Sequence, residues 1–213
     1  MTDIYVIDTE TTGLRGHPYD SVVEIGICRV SPEEGTVDPF FSSLVGYDTE
    51  EWPECKKESW IFQNTSITLE QVQRAPPLGS VVSRVRKLLA GKDVNSYNEA
   101  YDFGKFLYSD PWNLDDTVRL LPCIMVQAHS VESIPRNGGR GGWVPYPKLE
   151  SAYRHLCPDD PAGLEGEQDH RALSDAVLAS YVMLRLMDIG RYPLSFPDPE
   201  GSVKVFRGIP VSG

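Results

Sequence analysis

Asp8 and Glu10 stand two positions apart at the end of the apolar run Ile4-Tyr5-Val6-Ile7. A short β-branched and aromatic run reads as a buried strand. Residues two apart on a strand share a face, so the two carboxylates point the same way. Like charges held together at the end of a buried strand repel. A cation must offset them, and a divalent metal with oxygen ligands is the economical one. Thr11-Thr12-Gly13 follows, with hydroxyls, backbone N–H groups and a glycine suited to a tight turn.

More acids come from distant parts of the chain. Asp93 to Tyr97 reads as a short strand, and Glu99 to Leu107 as a helix that carries Asp102. The strongest helical pattern runs from Asp169 to Ile189, with Asp169 as its cap and Gly190 as its stop. Within it Asp175, Ala179, Val182 and Leu186 form one stripe, which puts Asp175 on the packed side. A buried unpaired carboxylate costs several kcal/mol, so Asp175 also needs a cation or donors. On a continuous helix His170 would point roughly 140° away from Asp175, at 100° per residue. It reaches the same pocket only from a loop or an irregular first turn.

The remaining elements follow in order. Ser21 to Val30 is a second strand and Thr36 to Gly46 a third, with Pro39 marking an edge or bulge. Short spacings make these three an antiparallel meander. Asp48 to Thr68 is too apolar for a plain loop, with Trp52, Trp60, Ile61 and Phe62. Pro76-Pro77 opens a helix bearing Val81, Val82, Val85, Leu88 and Leu89, and Gly91 stops it. A further helix starts near Pro122. Ser130 to Pro147 is a Gly- and Pro-rich loop whose Arg136, Arg140, Trp143 and Tyr146 suit a substrate flap. Lys148 to Leu156 is a short helix. The expected domain covers 1–190, and 191–213 is a Pro-rich tail, extended or partly ordered.

With 213 residues, 40% of them hydrophobic, the chain supports one globular domain. A net charge of −11 argues against a broad nucleic-acid-coating surface. It leaves room for an acidic metal pocket whose ions invert the local field. Cys28, Cys55, Cys123 and Cys157 are scattered and form no C-x-x-C pair. They read as reduced thiols of a cytoplasmic protein. The sequence opens directly into a strand, so no signal peptide is expected. No run approaches the roughly 20 apolar residues of a bilayer span, so no membrane partner is expected.

Taken with their neighbours, these acids resemble the DEDDh (DnaQ-like) 3′–5′ exonuclease family. Asp8-Thr9-Glu10-Thr11-Thr12-Gly13-Leu14 resembles its first motif and Tyr97-Asn98-Glu99-Ala100-Tyr101-Asp102 its second, HNxxFD. His170-Arg171-Ala172-Leu173-Ser174-Asp175-Ala176 resembles its third, HRAxxDA, and Ser66-Ile67-Thr68 stands where the family often has GIT. Three motifs in order cover about Ile4 to Leu186. Tyr97 stands for the usual His and Tyr101 for the usual Phe. Trp60 to Asn64 departs from the usual approach to GIT.

The resemblance implies an α/β, ribonuclease H-like fold: a mixed five-stranded sheet, its first three strands antiparallel, flanked by helices. It implies two divalent ions, Mg2+ or Mn2+, with Asp8 bridging. Glu10 and Asp175 complete one shell and Asp102 supports the second. His170 is the general base. Thr11, Thr12, Gly13, Leu14 and Asn98 meet the terminal nucleotide, with Leu14 packing on a base. Such chemistry needs metals about 4 Å apart to bring a nucleophile to an anionic phosphate. The implied reaction trims single-stranded DNA or RNA from the 3′ end to nucleoside 5′-monophosphates. Alternatives are an oligoribonuclease-like or RNase T-like RNA-trimming enzyme, a proofreading subunit with a polymerase partner, a homodimer, and, last, an inactive binding protein.

Overall fold

The computed structural model describes residues 2–136, 144–163 and 169–193, and the backbone of 195–197 and 203–205. Strands β1 (Ile4–Thr11), β2 (Val22–Ser31) and β3 (Thr36–Leu44) form an antiparallel meander. Helices α1 (Glu54–Lys57), α2 (Trp60–Asn64), α3 (Leu69–Arg74) and α4 (Leu78–Leu89) follow. β4 (Asp93–Ser96) pairs parallel with β1, and β5 (Arg119–Leu120) parallel with β4. The sheet order is β3-β2-β1-β4-β5, with the acid-bearing strand central. Between β4 and β5, α5 (Glu99–Tyr101) runs into a π-helical turn over Asp102–Leu107. Helices α6 (Ile124–His129), α7 (Leu149–Leu156) and α8 (Ala172–Asp188) complete the domain. In the tail, β6 (Ser195–Pro197) and β7 (Val203–Val205) pair antiparallel.

The alternation of β1 sorts its side chains onto two cores. Ile4 and Val6 pack with residues of α6, α7 and α8. Tyr5 and Ile7 pack with α4 and with Phe103, Phe106 and Leu107. Carried two residues further, the even set becomes Asp8 and Glu10, on the face that α8 covers. β3 is an edge strand, and the register slips opposite Pro39, where a ladder N–H is missing. The apolar stretch after Asp48 builds a third, smaller core: Ile61 packs with Val23, Ile67 and Val72. Thr68 and Gln71 form a capping box at the start of α3.

The start of α8 differs from the sequence expectation. The helix begins at Ala172, not Asp169, because His170 has a left-handed backbone, φ 52°. Asp169 accepts from the N–H of Arg171 rather than capping a helix. The first helical N–H, that of Ala172, donates instead to Glu24 of β2, at 3.0 Å. The backbone here lies directly on the sheet. A Cβ on Gly26 would fall 2.3 Å from the Ala172 carbonyl carbon and the Leu173 nitrogen. Gly26→Ala is therefore expected to lower unfolding free energy by about 1–3 kcal/mol, the usual range for overpacking. Denaturant unfolding measures it, and an unchanged midpoint would contradict this close packing.

Candidate active site

Asp8 and Glu10 lie at the carboxyl end of β1, opposite Gly26 and Glu24 of β2. Asp175 sits in the first turn of α8 and is 4% exposed, on the stripe with Ala179, Val182 and Leu186, all buried. His170 reaches the same place from its left-handed position just outside the helix. Ligand atoms of Glu10, His170 and Asp175 all lie within 4.8 Å of one another. Asp102, at the head of the π-helical turn, is buried and accepts from the Thr9 hydroxyl at 2.7 Å. Thr9 is the odd-numbered residue between the two acids, so β1 engages Asp102 through its other face.

This concentration of carboxylates is electrostatically costly. Burial, and then the charges of Asp102, Asp175, Glu10 and Glu24, raise Asp8 well above the ordinary carboxylate range. Glu10 is pushed up to about 8, first by burial and then by Asp175 and Glu24. Burial lifts Asp102 to about 6, against the hydrogen bond from the Thr9 hydroxyl. The donor set, hard carboxylate oxygens with one imidazole, fits a divalent cation. Such an ion would relieve the repulsion that raises these acids.

A stability test follows from the same shifts. Glu10 is raised from 4.5 when free to about 8 when folded. The folded protein then holds protons that the unfolded chain releases, so stability falls as pH rises through that window. Under chelator, melting temperature should drop between pH 5 and pH 8, by the equivalent of a few kcal/mol. A divalent cation should reverse the drop. A melting temperature that rises with pH under chelator contradicts this electrostatic reading.

The loop after β1 is braced internally. The Thr11 hydroxyl donates to the Gly13 carbonyl at 3.0 Å, and the Thr12 hydroxyl accepts from the Ser21 N–H at 3.0 Å. Leu14 projects outward, 75% exposed. Asn98 precedes α5 and makes no side-chain cap bond there. The loop expected to be a flap is divided. Arg136 donates to the carbonyls of His129 and Val131, so its charge is turned inward. Tyr146 is exposed and rests against His129. Arg140 and Trp143 lie outside the described residues.

Several neighbours of this cluster carry little signal in the sequence. The Tyr101 hydroxyl donates to the Gly13 carbonyl at 3.0 Å and also meets the Thr11 hydroxyl. The departure from Phe thus ties the second motif to the first. Tyr97 likewise donates to the Pro147 carbonyl at 2.8 Å. Trp60, exposed on α2, meets the His170 ring edge-to-face at 4.9 Å. Glu24, 1% exposed, receives Arg171 through both Nε and Nη2. In the sequence Tyr97, Tyr101 and Trp60 showed only as small departures from the motifs, and Glu24 lay outside them.

A central acid-bearing strand, a mixed sheet and a helix returning over its end define a nuclease-type α/β architecture. Residues 5–183 match the model of the RNase_T family, described as Exonuclease. The chain therefore belongs to this exonuclease family and is a hydrolytic exonuclease. No curated protein sequence matches it. Among solved structures, a full-length 3′-exonuclease is 17% identical with TM-score 0.61, over 96% of this chain and 67% of that one. A 3′-exonuclease recognising the 3′ end of histone mRNA stem-loop is 17% identical with TM-score 0.61, over 99% and 93%. E. coli exonuclease I in complex with a dA16 oligonucleotide is 15% identical with TM-score 0.58, over 87% and 41%, so this chain spans about two-fifths of that one. At these identities the structures share the fold, which is the ribonuclease H-like sheet expected. Among the described residues no helix is long and apolar enough to cross a membrane.

Proposed function

We propose that this chain is a metal-dependent 3′–5′ exonuclease of the DEDDh type, releasing nucleoside 5′-monophosphates from single-stranded ends. The observation that carries the reading is the convergence of Glu10, His170 and Asp175 within 4.8 Å, from segments 160 residues apart. Asp8, Glu10, Asp102 and Asp175 would hold two divalent ions, Mg2+ or Mn2+. A bound pair supplies charge neutralisation and Lewis acidity at the phosphate.

The chain's own groups account for the rest. His170 takes the proton of the attacking water; its place outside α8 leaves the ring free to face both Glu10 and solvent. Exposed Leu14 packs against the terminal base, while Thr11, Thr12 and Gly13 hold the loop that presents it. Asn98 contributes a polar contact from the second motif. Residues 1–190 form the catalytic domain and 191–213 an appended tail. Reduced cysteines support a cytoplasmic setting.

The relatives of known structure include a DNA complex and an RNA-recognising enzyme, so sugar preference is an experimental outcome. The test uses 5′-labelled DNA and RNA oligomers with Mg2+ or Mn2+. Stepwise shortening from the 3′ end is expected on at least one sugar. Absence of shortening on both overturns the reading.

A further inference from the structure

We propose that Glu24, Arg171 and Gly26 form a docking cradle that sets the start of α8 against β1. They are positioning residues for Asp175 and His170. Glu24 and Gly26 lie opposite Glu10 and Asp8, on the face that α8 covers. The Glu24 carboxylate receives Arg171 Nε at 3.0 Å and Nη2 at 2.5 Å, and the Ala172 N–H at 3.0 Å. One buried side chain thereby holds both the N-cap residue and the first helical N–H. Arg171 lies next to His170, and Asp175 is three residues beyond Ala172. Gly26 supplies the second half of the cradle, because any side chain there would meet the Ala172–Leu173 backbone.

The physical consequence is directional. Arg171 forms a fork to a carboxylate, a geometry that fixes orientation as well as distance. Without it, the helix start loses its lateral anchor, and the third-motif groups can drift from the strand acids. A displacement near 1 Å at a reacting centre costs about 10²-fold in rate. Charge alone argues the opposite way for metal binding. Removing the Arg171 cation makes the pocket more negative, which would tighten a divalent ion. A cradle that fails to position Asp175 weakens it.

The inference rests on the exonuclease reading for its kinetic arm only. Wild type, Arg171→Ala, Arg171→Lys and Glu24→Gln are compared by two measurements. One is the Mn2+ concentration that gives half the maximal rise in melting temperature. The other is kcat and KM on a 5′-labelled oligonucleotide. Arg171 has a side chain 40% exposed, and Arg171→Lys keeps a cation beside buried Glu24, so that variant stays folded and carries the Mn2+ comparison even if Arg171→Ala or Glu24→Gln fails to fold. Arg171→Ala is expected to need about tenfold more Mn2+ and to lose about 10- to 100-fold in kcat, with KM within threefold. Arg171→Lys should fall between it and wild type. Mn2+ binding that is unchanged or tighter in folded Arg171→Ala overturns the cradle. If wild type shortens no oligonucleotide, the exonuclease reading fails and the Mn2+ titration alone decides the cradle.

Discussion

Asp8→Ala is expected to leave a folded protein whose rate has dropped by about 10³- to 10⁴-fold. Losing a shared cation ligand removes several kcal/mol of transition-state charge stabilisation, and each 1.36 kcal/mol is about tenfold. Asp175→Ala should behave alike, because it supplies the opposing wall of the same cluster. Stability should move the other way. Asp8 is raised far above its ordinary range by burial and by Asp102, Asp175, Glu10 and Glu24. Its removal relieves that repulsion, so chelated Asp8→Ala should melt at or above wild type near pH 8. Active sites commonly trade stability for function in this way. The check combines single-turnover hydrolysis with thermal melts under chelator. Full activity in either variant would show that the acids are not the working set.

His170→Ala has the next largest expected effect, about 10²-fold or more in kcat, the usual size of a general-base contribution. The imidazole sits within 4.8 Å of the Glu10 and Asp175 ligand atoms. That proximity suits a base beside the clustered carboxylates, and it would equally suit a ligand. The two roles separate in one experiment. A base leaves the Mn2+ requirement within about threefold of wild type while the acid limb of the pH–rate profile flattens. A ligand raises the Mn2+ requirement about tenfold or more, the usual cost of disturbing a metal's coordination. An unchanged pH–rate profile would remove His170 as the base. Trp60 packs edge-to-face on this ring, so its substitution offers a milder perturbation of the same group.

Much of the site was legible from local pattern alone. Strand periodicity assigned Asp8 and Glu10 to one face, and the apolar stripe assigned Asp175 to the packed side of a long helix. The 100° helical step turned His170 away from Asp175 unless the backbone broke, and it does break, at φ 52°. Pro39 marked the edge strand and its bulge. Period and backbone restriction act within a few residues, so these positions are set locally.

Tertiary structure decided the rest. Asp169 has the composition of a helix cap, yet the left-handed turn at His170 starts the helix at Ala172, and Glu24 of β2 takes its first N–H. Glu99 to Leu107 reads as one helix but turns π-helical from Asp102 onward. The Tyr101 hydroxyl reaches a carbonyl in the first motif. The α8 start and the Tyr101 contact depend on partners brought near by the whole chain, at separations where sequence order imposes no distance. The amino-acid pattern alone thus determined which groups could carry chemistry and which faces they occupy. Folding decided which of them meet, because only the assembled sheet with α8 laid across it supplies the buried partners.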